Sequence, residues 1–219
     1  VVTTWLIALL HPSSYGLFTW HPLLQSLAIG SFTYGILTLQ PTSRPKTKAA
    51  GLLRHQLAMI VLGFPMIILG TSAIYYNKVR GGHPHFTTWH GFFGIVTVCL
   101  SVVQVILGGG SVWFDGKLFG GNPRAKLIWK YHRALGYVVF PLYLLSAYLG
   151  GAWSNWASKY SIFVVRLVAY WIAPFVLLVA IFARVRLVSL PTLVTKPITC
   201  ISHFLSLGNR TSKMQFNFF

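Results

Sequence analysis

Four histidines are the residues of this chain whose type and placement best fit the binding of a metal or cofactor. His21, His55, His90 and His132 each lie near the start of a different, mainly apolar stretch of about 20 residues. Lipid offers an imidazole no partner, so such a histidine is expected to face a bundle interior or a functional cavity. Because a neutral imidazole binds metals, four of them, one per stretch, predict two cofactors held between helices.

The apolar stretches predict an all-α membrane protein. The chain has 219 residues, of which 55% are hydrophobic and only 9% charged. Stretches this long and this poor in charge are typical of transmembrane helices. The predicted spans are Leu17–Leu39, Gln56–Tyr76, Gly91–Val112, Ala134–Ser158 and Tyr160–Ala183. The stretch Val1–Leu10 is too short to cross a bilayer at ~1.5 Å per residue, and we interpret it as part of a truncated first span.

The prediction is therefore a polytopic bundle of six transmembrane helices, the first one truncated, that occupies residues 1–188. Residues 189–219 are expected to form a cytoplasmic C-terminal tail with little fixed structure. The last predicted span ends before them, and they mix polar and apolar residues with two prolines, Pro191 and Pro197.

The charges define the expected orientation. Eighteen Lys and Arg stand against one acid, Asp115, and they lie almost wholly between spans, which favours membrane topology over nucleic-acid binding. If loops alternate between sides A and B, side B has Lys78, Arg80, Lys159 and Arg166, and side A has the other fourteen basic residues. The positive-inside rule then makes side A, with both termini, cytoplasmic.

Helix direction pairs the histidines by depth. Consecutive spans run antiparallel, so His21 and His90 are expected at one depth near side B, and His55 and His132 at one depth near side A. A haem iron accepts an axial nitrogen on each face of the porphyrin, and bundle cores build such sites from facing helices. Zinc would need four ligands at one depth and finds two.

Two glycines add weight to the haem interpretation. Gly94 follows His90 by four residues, and Gly136 follows His132 by four, so each shares a helix face with its histidine. A glycine there would leave room for a flat macrocycle, although close helix packing explains either glycine equally well. Gln25 and Met59 hold the matching positions after His21 and His55, so the pattern is only half complete.

A different class of function stays open on these grounds alone. The histidines could instead be proton relays in a haem-free, proton-coupled membrane transporter. Absorbance distinguishes the two hypotheses, because only haem gives b-type bands in a reduced-minus-oxidised spectrum.

Three local sequences resemble the cytochrome b561 family, in its single-domain type. They are the run Leu17–Pro22, the run Pro84–His90, and Ala125-Lys126-Leu127 with Tyr131-His132 and Gly136-Tyr137. The resemblance extends over residues 5–188. It implies a six-helix fold with two haem b groups, one held by His21 and His90 on the non-cytoplasmic side and the other by His55 and His132 on the cytoplasmic side.

The resemblance also implies a function and partners. Members pass electrons from cytosolic ascorbate to monodehydroascorbate or a ferric chelate on the opposite side, so the chain is expected to be a transmembrane oxidoreductase. The implied setting is a homodimer in an endomembrane (vesicle, endoplasmic reticulum or vacuole) or the plasma membrane. A further alternative is the membrane half of an electron carrier fused to a DOMON domain.

Two substrate sites follow from the resemblance. The ascorbate site is expected among basic residues that precede His55 and His132, although ordinary positive-inside charge explains them equally well. These candidates are Lys46, Lys48, Arg54, Arg124, Lys126 and Lys130. On side B, His85 matches the family's Pro-His-Phe pattern and is the candidate catalytic residue, with an ordinary loop histidine as the alternative. Nearby Lys78 would attract an anionic acceptor.

Overall fold

The described part of the protein is helical. The computed structural model describes residues 1–11, 16–39 and 44–189, with side chains described up to residue 183, and it contains no strand in these ranges. In hydrocarbon every backbone N–H and C=O must be paired within the protein, and a helix pairs them within one segment. The fold class predicted from the apolar stretches, an all-α membrane bundle, is confirmed.

The α-helices in the described ranges are joined by shorter helical turns. In chain order they are α1 (Val2–Leu10), α2 (Trp20–Thr38), α3 (Pro45–Gln56), α4 (Phe64–Arg80), α5 (Trp89–Val112), α6 (Trp129–Trp153), α7 (Asn155–Tyr160), α8 (Phe163–Arg166) and α9 (Ala173–Ser189). Turns of 3₁₀-helix cover Gly16–Thr19, Trp113–Phe119 and Arg124–Ile128, and π-helical segments cover Leu57–Gly63 and Leu167–Ile172.

Four continuous helices in the described ranges are long and apolar enough to cross a membrane. They are Pro45–Arg80, Trp89–Phe119, Arg124–Trp153 and Phe163–Ala183. The helix α2, with 19 residues, is not among these four; it runs beside the helix Pro45–Arg80, and its two ends reach Gly70 and His55 of that helix. The outward faces carry exposed apolar side chains such as Val61 and Phe175, which is expected where hydrocarbon replaces water.

One predicted span was wrong at its end. The stretch Ala134–Ser158 was expected to be one helix, but α6 ends at Trp153. Ser154 adopts an extended conformation with ψ of 147°, and its side-chain oxygen accepts a hydrogen bond from the Ala157 N–H at 3.2 Å. Serine is a favoured N-cap, so it ends one helix and begins α7. Of the predicted tail, residues 189–219, all but Ser189 lie outside the described residues.

The chain divides into two compact units, Val1–Ile181 and Phe182–Phe219, and the first unit contains the helical core. Its main core joins α2, α4, α6 and α9 and consists of Ala28, Phe32, Ile67, Val139, Phe140, Tyr143, Leu144 and Ile181. Hydroxyl groups within the helices are paired locally: Thr97 donates to the Phe93 carbonyl at 2.6 Å, and Ser101 donates to the Thr97 carbonyl at 2.8 Å. Such bonds let polar side chains sit inside an apolar bundle.

The contact between Gly151 and Tyr170 generates a stability prediction. A Cβ at Gly151 would overlap the Tyr170 ring, so Gly151→Ala should lower stability by about 1–3 kcal/mol, as overpacking does, despite the better helix propensity of Ala. Gly30→Ala is the matched control, because its Cβ would meet only the end of Val1 at 3.4 Å. Thermal unfolding in detergent measures both variants, and equal melting temperatures would contradict the prediction.

Candidate functional site

The structure brings His21 and His90 together. His21 lies in the first turn of α2, His90 lies in the first turn of α5, and their ring centroids are 5.8 Å apart. The rings are nearly perpendicular, at 76°. Both side chains are half-buried. Two imidazoles from two helices therefore face one another at one end of the bundle.

His55 and His132 form a second pair at the opposite end. His55 lies near the end of α3, His132 lies in the first turn of α6, and their ring centroids are 6.3 Å apart at an interplanar angle of 90°. These are the two combinations that helix direction predicts.

Each of the four imidazoles is oriented by a backbone carbonyl of a neighbouring helix. The Nδ1–H groups donate to the carbonyl oxygens of Gly70 (His21, 3.0 Å), Gly35 (His55, 3.1 Å), Ser146 (His90, 2.9 Å) and Gln104 (His132, 3.1 Å). Because a carbonyl can only accept, the proton lies on Nδ1, and Nε2 keeps its lone pair as a potential metal ligand. A ligating histidine typically has such a partner on its other nitrogen.

These bonds are reciprocal within two helix pairs. The helix α2 supplies His21 and the Gly35 carbonyl, and its neighbour Pro45–Arg80 returns the Gly70 carbonyl and His55. The helices α5 and α6 exchange histidines and carbonyls in the same way. Each helix thus carries a histidine at one depth and a carbonyl acceptor at the other.

The spacing between histidine and acceptor is nearly constant. The separations are 14 residues for His21 to Gly35, His90 to Gln104 and His132 to Ser146, and 15 residues for His55 to Gly70. Fourteen residues of α-helix rise about 21 Å, which is the separation of the two depths along a helix. The longer separation includes the π-helical segment Leu57–Gly63, where the Phe64 N–H donates to the Met59 carbonyl, five residues back. A π-helical bulge absorbs one extra residue, so the register is kept.

The residues four positions after each histidine pack against the acceptor of that same histidine. A Cβ on Gly94 would lie 3.5 Å from Ser146 Oγ, and one on Gly136 would lie 2.9 Å from Gln104 Nε2. In the other helix pair the sizes are reversed. There a Cβ on Gly70 would lie 3.0 Å from Gln25 Nε2, and one on Gly35 would lie 3.0 Å from Met59 Cε.

One member of each such contact is therefore a glycine, which explains why glycine follows only two of the four histidines. The arrangement matches the helix-packing alternative for Gly94 and Gly136. Their place beside a macrocycle stays a prediction.

Two glycines next to the imidazoles were missed by the sequence reasoning. A Cβ on Gly108 would lie 2.6 Å from His132 Cε1, and one on Gly150 would lie 2.7 Å from His90 Cε1. Any side chain at either position would displace the ring from its carbonyl bond. The available signal was the runs of glycine in 108–110 and 150–151, inside spans where glycine marks close approach.

The donor set fits haem better than a metal ion alone. Each pair offers two imidazoles from two helices, with ring centroids 5.8 Å apart for His21 and His90 and 6.3 Å apart for His55 and His132. In the described part of the chain no three His, Cys, Asp or Glu side chains are grouped to hold a metal ion. A porphyrin supplies four nitrogens itself and needs only two from protein.

Two orphaned polar atoms lie close to the histidine pairs. Thr19 Oγ1, two residues before His21, and Gln104 Oε1, beside His132, are buried without a hydrogen-bond partner. The Gln104 side chain is held in place, since its Nε2 donates to the His132 carbonyl at 2.8 Å. Buried polar atoms are normally satisfied, so these two are consistent with a polar group bound at each site.

The predicted ascorbate-site residues lie along the chain next to the second pair. Lys46 and Lys48 are exposed near the start of α3, and Arg124 and Lys126 are exposed in the turn before α6. Lys130 places its Nζ over the Tyr131 ring, 4.9 Å from the centroid. Arg54 is exposed beside His55 and also borders an apolar groove that contains Leu57 and Ala58. Their part in binding a substrate stays a prediction.

The residues predicted for the other side lie in and beside the loop between α4 and α5. His85 is half-buried and stacks on Tyr75, with ring centroids 4.4 Å apart. The Lys78 ammonium group donates to the carbonyl oxygen of Pro84 at 2.9 Å. Lys78 therefore stabilises the loop that contains His85. Its attraction of an anionic acceptor stays a prediction.

Comparison with known proteins identifies the family. The model of eukaryotic cytochrome b561 matches residues 20–158, which is more than half of the chain and includes all four paired histidines. The chain belongs to the eukaryotic cytochrome b561 family. Membership in this family implies haem b and an integral membrane protein, and it agrees with the resemblance of the local sequences.

Curated relatives carry the name transmembrane reductase CYB561D2. The Bos taurus protein is 32% identical over 151 residues, which are 68% of this chain and 66% of the relative. The Mus musculus protein is 30% identical over 166 residues, or 69% and 73% of the two chains. The Homo sapiens protein is 31% identical over 151 residues, or 68% and 66%. The chain spans about two thirds of the bovine and human relatives.

The extra residue in the π-helical segment generates a prediction. Deleting Val61, which is exposed, shortens the His55 to Gly70 separation to 14 residues, so both histidine pairs should still bind haem. Deleting the exposed Val102 of α5 should instead turn the Gln104 carbonyl by about 100° relative to His90 and remove the haem of the His55 pair. Pyridine haemochrome assays count the haem in each variant, and equal losses would contradict the role given to the bulge.

Proposed function

We propose that this protein carries electrons across a membrane between two haem b sites, from ascorbate on side A to monodehydroascorbate or a ferric chelate on side B. This proposal rests mainly on the two histidine pairs. In each pair both Nδ1–H groups donate to backbone carbonyls, and both Nε2 atoms are left to act as ligands. In this proposal His21 and His90 hold one haem, and His55 and His132 hold the other.

The family and its named reductase relatives support an oxidoreductase role. Each haem b, when bound, supplies a one-electron redox centre. The chain's own part is to hold the imidazoles in one tautomer and orientation, so that little rearrangement accompanies a change of charge.

The middle of the bundle would separate the two sites by packed apolar side chains. The Phe32 and Tyr143 rings, both buried, meet there with centroids 5.1 Å apart, and the Tyr143 hydroxyl is paired with Ser101 Oγ at 2.6 Å. A core of this kind keeps water and ions out of the path between the sites. The protein would thus pass electrons without leaking protons along the same route.

Charge supports the choice of ascorbate as donor. Ascorbate is an anion, and the exposed basic residues around α3 and the start of α6 would raise its local concentration at side A. There it would lose one electron and one proton and become monodehydroascorbate. On side B a ferric chelate would gain one electron and become ferrous. The same charges, by the positive-inside rule, make side A cytoplasmic, in an endomembrane or the plasma membrane.

Ligand replacement tests the pairing. His55→Leu and His132→Leu should each remove the same haem, because each breaks the same pair, and both should abolish rapid reduction by ascorbate. The measurement is the reduced-minus-oxidised spectrum of each purified variant, followed by stopped-flow reduction. Different spectral losses in the two variants would refute the pairing, and a wild-type protein without b-type bands would refute the proposed function as a whole.

Replacement of His85 tests the side-B site. A neutral imidazole there could take or give the proton that accompanies electron transfer. His85→Ala should leave both haem spectra and the reduction by ascorbate unchanged, and should slow re-oxidation by monodehydroascorbate, which gains one electron and one proton, about 10- to 100-fold, the lower range for loss of a general acid or base. Loss of a haem, or re-oxidation at the wild-type rate, would reject the role.

Protease protection tests the orientation. In sealed, right-side-out vesicles an epitope tag at the C-terminus should be protected, whereas a tag between Lys78 and His83 should be cleaved by added protease. The reason is the excess of Lys and Arg on side A. Detergent-opened vesicles are the control. Cleavage of the C-terminal tag in intact vesicles would reverse the proposed direction of electron flow.

A further inference from the structure

The loop between α4 and α5 is tied to the last turns of α4. The Lys78 ammonium group donates to the Pro84 carbonyl, and the His83 N–H donates to the Lys78 carbonyl at 3.0 Å. Both bonds hold the chain immediately before His85. Hydrogen bonds to α4 therefore hold the backbone immediately before His85.

The same loop is seated on the first turn of α5. Phe86 adopts a φ of +57°, a left-handed conformation that is rare for a bulky side chain. A Cβ on Gly91 would lie 3.3 Å from Phe86 Cα, so the backbone after His85 rests against the residue that follows His90. Strained conformations of this kind persist where the surrounding structure holds them, and they concentrate at functional sites.

Tyr75 supplies the contact to the His85 side chain itself. The two rings are stacked, with centroids 4.4 Å apart and planes 27° from parallel. Tyr75 covers one face of the imidazole. The stack therefore restrains the rotation of the imidazole and orients its two ring nitrogens.

We propose that Tyr75 is a positioning residue for the side-B redox site, and that it acts by holding the His85 imidazole where the electron acceptor is reduced. This inference rests on the proposed function, which places acceptor reduction beside His85. Lys78 and the left-handed Phe86 fix the backbone of the loop, and Tyr75 fixes the ring. The contact is aromatic, so phenylalanine should replace Tyr75 and leucine should not.

The experiment compares three variants of the full chain in detergent. Tyr75→Leu removes the stack, Tyr75→Phe keeps it, and Tyr76→Leu is the matched control. Tyr76 is the neighbouring exposed tyrosine, which meets the edge of the Tyr75 ring at 6.3 Å and makes no stack with His85. Haem spectra first establish that each variant is folded and loaded.

Two readouts are then measured. Diethyl pyrocarbonate labelling followed by mass spectrometry gives the modification rate of His85, with His83 as the internal reference. Stopped-flow re-oxidation of the reduced protein by monodehydroascorbate, which takes up one electron and one proton, gives the activity of side B. Tyr75→Leu should raise His85 labelling and slow re-oxidation by about five-fold each, the order expected for loss of one aromatic pair. Tyr75→Phe and Tyr76→Leu should both resemble the wild type.

The outcomes distinguish failure of the Tyr75 role from failure of the proposed function. Wild-type rates for Tyr75→Leu in either readout would overturn the positioning role, and so would a Tyr75→Phe variant as slow as Tyr75→Leu. If the wild-type protein is not re-oxidised by ferric citrate or monodehydroascorbate, the proposed function fails. The labelling rates alone would then decide whether Tyr75 holds His85.

Discussion

The hydrogen bond from a histidine Nδ1–H to a backbone carbonyl on a neighbouring helix is the interaction on which the rest of this structure depends. An imidazole N–H within an apolar bundle needs a partner, and water is scarce there. Each of the four bonds sets one tautomer, one ring orientation and one relative height of two helices. Because each helix of a pair both gives a histidine and returns a carbonyl, a shift of either helix would break two bonds together.

These bonds require close approach of the helices, and this determines where a residue must lack a side chain. Gly108 and Gly150 make room for the imidazoles of His132 and His90, and any larger residue would push the ring off its acceptor. The π-helical segment Leu57–Gly63 keeps the same register by taking up the one extra residue between His55 and Gly70. Gly70 lies on the same helix as His55, and its carbonyl accepts the hydrogen bond from His21 on α2. Packing and register thus meet a single geometric demand.

The two ends of the bundle differ in chemistry although they share this geometry. Side A presents exposed basic residues such as Lys46, Lys48 and Arg124, which face solvent. Side B presents a short loop whose backbone and aromatic contacts give His85 a defined place. The proposed direction of electron flow depends on this difference, since the basic end would attract the proposed anionic donor and the His85 imidazole lies at the other end.

The sequence by itself determined the helical class, the approximate spans and the depth at which each histidine lies, because hydrophobicity and helix direction are local properties. It therefore predicted which histidines meet. Only the tertiary structure decided the carbonyl acceptors, the glycines beside the rings, the Lys78 contact to Pro84 and the stacking of Tyr75 on His85. A backbone carbonyl is the same in every residue and leaves no mark in a sequence. Contacts between helices also depend on how each helix is rotated, and the uniform apolar character of these spans does not determine that rotation.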